Sequence, residues 1–274
     1  LFADAATKEQ RYLILVGPGN NGGDGLAMAR ILSAAGHPVR VCQPFEQLEL
    51  SYDNAMNLSR MADVSISVVS SSPAGGPPQV CPGEIVIDAL FGTGLSRPLE
   101  GDQRRFVQRL NEQKAKVIAI DLPSGLFPED NARNDMEGVV RATWTLTFQL
   151  PKLAFFLSDS MSFVGSWNVL DIGLDEGCIA EQNSPYLVPV PKDLRDLLPP
   201  RPAHAHKGNF GHALLMTGGR GMLGAAVMAA RAAARSGVGR LSVHLPGNGR
   251  SVLQTAVPEA MVRHRQECPF PGPW

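Results

Sequence analysis

Three short apolar runs, Tyr12–Val16, Ile85–Ala89 and residues 117–120, each break off into a loop rich in glycine and oxygen-bearing side chains. Unbroken apolar runs of about five residues fit strands buried on both faces, and such strands belong to parallel sheets covered by helices on either side. The first run ends in Gly17-Pro18-Gly19, and residues 26–35 then carry helix formers with apolar residues at three- and four-residue spacing. Gly36 is placed to stop that helix, and Val39–Cys42 follows as a second strand, completing a βαβ unit. The rhythm continues with helices over 55–62 and 106–113 and strands over 64–69, Trp144–Phe148 and 167–172. The fold class expected is α/β, a Rossmann-like three-layer αβα sandwich with a mostly parallel sheet.

A chain of 274 residues has room for two domains. Prolines 185, 189, 191, 199, 200 and 202 interrupt regular structure between Glu176 and His206, so the expected domains are 1–190 and 191–274. In the second, a strand over 213–216, a helix over 221–236 and a strand over 240–244 make one βαβ unit. Roughly 70 residues are too few for a doubly wound domain, so this part is expected to be truncated. The absence of an initiating methionine points to an N-terminal helix lying outside the sequence.

Composition excludes several classes. A content of 44% hydrophobic residues supports a packed core, and a net charge of −1 with no basic stripe argues against nucleic acid or an anionic membrane as partner. Cysteines 42, 81, 178 and 268 show no CxxC spacing, which favours free thiols over a zinc site or disulfide framework. No apolar run approaches the roughly 18 residues of a membrane span, and residues 1–4 do not resemble a secretory signal. A cytoplasmic protein is expected.

The first loop, residues 17–25, holds a GxGxxG spacing between strand and helix, which suits close approach of backbone N–H groups to a phosphate. A dehydrogenase would also want a carboxylate at the end of the second strand, where the chain instead has Cys42-Gln43-Pro44. Asn20, Asn21 and Asp24 bring polar side chains that a bare phosphate cradle would not need. In the second loop Asp88 closes a buried strand and must be compensated, while Gly92-Thr93-Gly94 and Arg97 suit phosphate contact. The third loop is Asp121-Leu122-Pro123-Ser124-Gly125. If all three loops share one crevice, oxygens of Asn21, Asp88 and Ser124 could hold a monovalent or hard divalent cation, leaving Asp121 for proton transfer. No histidine falls between His37 and His204, and Ser124 lacks the setting of a hydrolase nucleophile. Lys152 is either a cleft residue or a solvated surface charge.

The segments GPGNNGGDG (17–25), DALFGTGLSRPL (88–99), AIDLPSG (119–125), TFQLPK (147–152) and VLDIGL (169–174) together resemble the NAD(P)H-hydrate epimerase domain, the YjeF N-terminal domain family, over about residues 1–190. The resemblance implies epimerisation of the R and S forms of hydrated NADH and NADPH, an isomerase activity in cofactor repair. It implies substrate binding by Asn20, Asn21, Gly22, Gly23, Asp24, Gly92, Thr93, Gly94, Leu95, Ser96, Arg97, Pro98 and Asp121. Asp121 would be the catalytic acid or base, Asn21, Asp88 and Ser124 would hold potassium, and a homodimer is a further implication. The segments 203–211 and 217–226 resemble the start of an ADP- or ATP-dependent NAD(P)H-hydrate dehydratase, a lyase of ribokinase-like fold fused behind the epimerase in many bacteria. With that family's nucleotide-binding region unmatched, no dehydratase activity is expected. Two other functions are weighed: a non-catalytic binding or scaffold module of the same fold, like those in mRNA-decapping factors, and an NAD-dependent dehydrogenase.

Overall fold

The computed structural model describes residues 10–45, 48–64, 66–69, 71, 75–197, 200–219 and 221–264. Residues 1–4, Ser65, Pro199, Arg220 and Cys268, which figured in the expectations above, lie outside the described residues. The chain divides into two compact units, 1–183 and 184–274.

In chain order the first unit comprises β1 (Tyr12–Val16), α1 (Asn20–Ala34), β2 (Val39–Cys42), α2 (Tyr52–Ser59), β3 (Ser67–Val68), β4 (Ile85–Ala89), α3 (Gly101–Glu112), β5 (Lys116–Ile120), β6 (Trp144–Phe148), α4 (Met161–Val164), β7 (Ser166–Leu170) and α5 (Glu176–Ala180). Seven strands form one sheet in the order β3-β2-β1-β4-β5-β6-β7, and each pairing is parallel. The chain runs outward from β1 to β3, returns, and runs outward again from β4 to β7. The crevice at that reversal, between the carboxyl ends of β1 and β4, is where open α/β sheets hold ligands.

Side-chain alternation sorts the core. Leu13 and Leu15 of β1 pack with Phe106, Val107 and Leu110 of α3, while Tyr12, Ile14 and Val16 pack with Leu26 and Ala29 of α1. These are the two covered faces that the apolar runs require.

The loop expected over residues 17–25 is mostly helix: α1 starts at Asn20, six residues before the expected start, and takes in three glycines. Glycine is a poor helix former in isolation, but here close packing outweighs the propensity. A Cβ on Gly22 would sit 1.9 Å from the Gly17 carbonyl oxygen, and one on Gly25 2.6 Å from Ala89 Cβ, so α1 approaches the sheet as closely as it does only because those atoms are missing. The other end follows the expectation. Gly36 has φ 89°, its N–H donates to the Ser33 carbonyl and that of His37 to the Leu32 carbonyl, a Schellman closure. The strand expected over 64–69 reduces to the two residues of β3, because its chain pairs with β2 only at Ser67 and Val68. The helix expected over 55–62 starts three residues earlier, at Tyr52, because Ser51 caps it through a hydrogen bond from the Asn54 N–H.

The second unit carries α6 (Pro191–Asp196), β8 (His212–Met216), α7 (Leu223–Arg235), β9 (Arg240–Leu245), α8 (Arg250–Ala256) and β10 (Met261–His264). Its three strands are parallel in the order β10-β9-β8 around Ala230, Leu241, Val243, Leu245 and Leu253. The single βαβ unit expected here is therefore two overlapping ones; α8 and β10, at seven and four residues, are too short to show a clear period. Among the described residues no helix is long and apolar enough to cross a membrane.

Candidate functional site

At the carboxyl ends of β1, β4, β5 and β6 lies a cleft of about 560 Å³. One wall is the β1–α1 turn and the first turns of α1, contributing Pro18, Gly19, Asn20, Asn21 and Asp24; the other is residues 90–95 after β4; Asp121 and Phe148 close it. The walls meet tightly, since a Cβ on Gly17 would overlap the Leu90 carbonyl at 1.6 Å. Asn54, fully buried at the start of α2, secures the first wall by donating through Nδ2 to the carbonyls of Gly17 (2.7 Å) and Gly19 (3.0 Å). The N–H groups of Asn20, Asn21 and Gly22, in the first turn of α1, have no carbonyl four residues back within the helix to receive them.

Beneath the floor lies Asp88, with no solvent exposure. Its Oδ1 accepts from Ser124 Oγ (2.6 Å) and from the Leu90 N–H (3.3 Å), and its Oδ2 accepts from the Ser124 N–H (2.8 Å). Every one of these donors is neutral. Burial therefore dominates, and the Asp88 carboxyl is pushed up to about 6 despite the three hydrogen bonds. Ser124 Oγ in turn accepts from the Phe91 N–H at 2.9 Å, and Asn21 lies against Gly92, one residue on. Asn21 Nδ2 is buried without a hydrogen-bond partner. The segment 91–92 thus links Asn21 to the Asp88–Ser124 pair. Among the described residues no cluster of three or more His, Cys, Asp or Glu could hold a metal. The set Asn21, Asp88 and Ser124 is of another kind, amide, carboxylate and hydroxyl oxygens suited to a hard ion.

Asp121 is 7% exposed and adopts φ 64°, unusual for a residue other than glycine. Its Oδ1 accepts from Thr147 Oγ1 and the Phe148 N–H, and Lys152 Nζ lies 3.0 Å away. Asp24 stands exposed at the rim; partial desolvation by the cleft walls raises its pKa, and the negative charges of Asp121 and Asp53 push it further up.

Of the residues singled out from sequence, Asn20, Asn21, Asp24, Gly92, Thr93, Gly94, Leu95 and Asp121 line the cleft, and Asp88 and Ser124 lie under it. Gly22 and Gly23 instead face α2, where a Cβ would meet Asn54 at 2.6 and 3.3 Å. Ser96, Arg97 and Pro98 fall outside the lining, the first two exposed. Sequence reasoning missed Asn54, Leu90, Phe91 and Phe148. Phe148 could have been found as the end of another parallel strand, whereas nothing local marks Asn54, whose partners lie 35 and 37 positions away.

A doubly wound parallel sheet with a cleft at its reversal point and an anchored carboxylate at its edge defines an α/β protein of Rossmann-like class. The chain belongs to the family described as YjeF-related protein N-terminus, which residues 1–154 match. It is 32% identical over 264 residues to the bifunctional NAD(P)H-hydrate repair enzyme Nnr of Moorella thermoacetica, covering 95% of this chain and 49% of that protein. It is 36% identical over 232 residues to the protein of the same name from Thermofilum pendens, covering 82% and 43%. The chain spans about half the length of the curated relatives it matches. A solved yeast protein, ynu0, aligns at 21% identity and a TM-score of 0.46 over 55% of this chain and 64% of its own.

Proposed function

We propose that the first unit interconverts the two epimers of hydrated NADH and NADPH, with Asp121 as the proton-transfer group. The relatives named above are NAD(P)H-hydrate repair enzymes, which supports the substrate class. The observation that carries the reading is the convergence of Asp121 with both glycine-bearing walls on one cleft of about 560 Å³. Small-molecule pockets run from about 300 to 1,000 Å³, so the reactive nucleotide portion of such a substrate fits. Water adds to an enamine-type ring at the carbon next to nitrogen, so inverting that carbon requires one of its bonds to break and re-form. As the hydroxyl loses its proton, the oxygen closes to a carbonyl, the ring C–N bond opens and the nitrogen takes up a proton, and closure on the other face reverses both transfers. A carboxylate at the cleft edge can do this. The N–H groups at the start of α1 and of residues 92–94 would hold the diphosphate, and Leu90, Phe91 and Phe148 would give the ring apolar contact.

The residues also fit potassium. Asp88 is buried without a cationic partner, and the orphaned Asn21 Nδ2 position becomes a ligand oxygen if the amide is turned. Asn21, Asp88 and Ser124 would hold the ion, which would supply a fixed positive charge under the cleft floor.

Asp121→Asn is the appropriate test, because asparagine tolerates the left-handed backbone that Asp121 occupies. Starting from one purified epimer, the wild-type chain should accelerate appearance of the other, and Asp121→Asn should lose at least roughly 10²-fold of that rate with unchanged thermal unfolding. A wild-type chain that does not accelerate it, or a variant with full rate, would sink the reading. For the second unit we propose no dehydratase activity in this 274-residue chain; dehydration of the hydrate on adding ADP or ATP in the same assay would overturn that.

A further inference from the structure

Each donor that reaches the Asp121 carboxylate lands on the same oxygen. Oδ1 accepts from Thr147 Oγ1 at 3.2 Å and from the Phe148 N–H at 3.3 Å, and it lies 3.0 Å from Lys152 Nζ. Among the described residues Oδ2 has no hydrogen-bond partner. It is also absent from the buried unpartnered atoms, so it keeps some exposure, and Asp121 lines the cleft. Lys152 is equally committed. Beyond its ion pair with Asp121, its Nζ donates to the carbonyls of Phe148 (3.0 Å) and Leu150 (3.2 Å), which hold the ammonium in place beside Oδ1.

The pair is not a surface contact. The two side chains are 16% and 10% exposed, and an ion pair so enclosed costs desolvation that a solvated lysine would avoid. The backbone on both sides is unusual as well. Asp121 at φ 64° and Gln149 at φ 57° are two of the three non-glycine residues with positive φ among the described residues. Gln149 is fixed there by its N–H donating to the Leu170 carbonyl at 2.7 Å and its Oε1 accepting from the Ile172 N–H at 3.0 Å. Left-handed backbone at such residues is unfavourable, and it persists where surrounding structure over-determines it. Here that structure delivers the ammonium to one carboxylate oxygen.

We propose that Lys152 is a positioning residue that locks Asp121 Oδ1 and so presents Oδ2 to the cleft as the single atom through which Asp121 exchanges its proton. The inference rests on the epimerase reading above. Lys152 itself transfers no proton, since it does not line the cleft and two backbone carbonyls hold its ammonium beside Asp121 Oδ1. Without it, the carboxylate can rotate and share the proton between two oxygens in many poses. Misplacement of a reacting group by about 1 Å costs roughly 10²-fold in rate.

The test compares wild type, Lys152→Ala and Lys152→Gln in the full chain by steady-state epimerisation and thermal unfolding. Lys152→Ala is expected to lower kcat by roughly 10²-fold with KM within about twofold, because the ammonium touches Asp121 and not the substrate. Added ethylammonium should restore part of kcat in a saturable way, whereas ethanol should not. Lys152→Gln keeps a donor without the charge; it should fold if the alanine variant does not, and should show the same split between kcat and KM. Unchanged kcat in a folded variant, a rise in KM alone, or failure of ethylammonium to act on a folded Lys152→Ala would overturn the proposal. If the wild type does not epimerise, the function proposed above has failed; if it does and the variants match it, only the role of Lys152 has failed.

Discussion

Asp88 is the residue on which the energetics of the site turn. Its carboxyl is at about 6 in the folded protein against 3.8 when unperturbed, so the folded state holds the proton more tightly than the unfolded one. The resulting stability is fully present below pH 3.8 and is lost as pH rises through about 6. A shift of about two units corresponds to roughly 3 kcal/mol. In a buffer whose cation is tetramethylammonium, wild type should lose about that much stability relative to Asp88→Asn between pH 4 and pH 7. Potassium held by Asn21, Asp88 and Ser124 would remove the penalty, so adding it at pH 7 should raise the wild-type melting temperature and leave Asp88→Asn unmoved. Equal pH profiles for the two proteins, measured by urea unfolding without potassium, would show that the buried carboxylate is compensated in some other way. Asp88 and Asp121 were legible in the sequence because one lies at the end of an apolar strand and the other directly follows one, and Ser124 because it falls in the short loop after the second. Asn54 was not, since its role depends on two carbonyls brought to it by the tertiary fold. For Lys152 the sequence favoured a solvated surface charge over a cleft residue, and only the carboxylate and two carbonyls around its Nζ show that it is neither exposed nor in the cleft lining.

At the scale of elements, α1 shows where local preference and packing disagree. Gly22 and Gly25 lie inside a 15-residue helix, and on a solvent-facing helix their replacement by alanine would stabilise by roughly 1 kcal/mol. Here the sign should reverse. A Cβ on Gly22 would meet the Gly17 carbonyl oxygen at 1.9 Å, a backbone atom that cannot swing aside, so Gly22→Ala should cost on the order of 3 kcal/mol or more and disturb the cleft wall. Gly25→Ala, facing Ala89 Cβ at 2.6 Å, should cost less, and Gly23→Ala, at 3.3 Å from Asn54, less again. Gly19→Ala is the control, with nothing within 4 Å of its Cβ position. Denaturant midpoints for the four variants check the order; a stabilised Gly22→Ala would mean that α1 does not approach the β1–α1 turn so closely. The same contacts explain why the start of α1 was read as a loop. Asn-Asn-Gly-Gly-Asp-Gly carries turn chemistry, and its helical state is imposed by β4 and α2, which no window of the sequence contains. The strands, by contrast, were legible wherever both faces are buried, as in β1 and β4, and least so at β3, an exposed pair of residues at the sheet edge.

At the scale of the molecule, each unit has its own core. Leu13, Leu15 and Phe106 in one cluster and Ile14, Leu26 and Ile87 in another stabilise the first unit, and Leu241, Val243 and Leu253 stabilise the second. Between Glu181 and Val190 every residue is exposed and none belongs to a helix or strand. A protease needs an exposed, irregular stretch of chain, which this segment offers without unfolding either core. Brief digestion should therefore cut first within residues 181–190, and mass spectrometry should find an N-terminal fragment ending there. The cleft is assembled wholly from residues 18–148, and Lys152 with its anchoring partners reaches only to Ile172, so this fragment contains all that the proposed epimerisation uses. It should retain the cooperative unfolding and the epimerisation rate of the parent chain. A fragment that unfolds, or one that stays folded but loses the rate, would show that the second unit contributes to the site, and the assignment of catalysis to the first unit alone would have to be withdrawn.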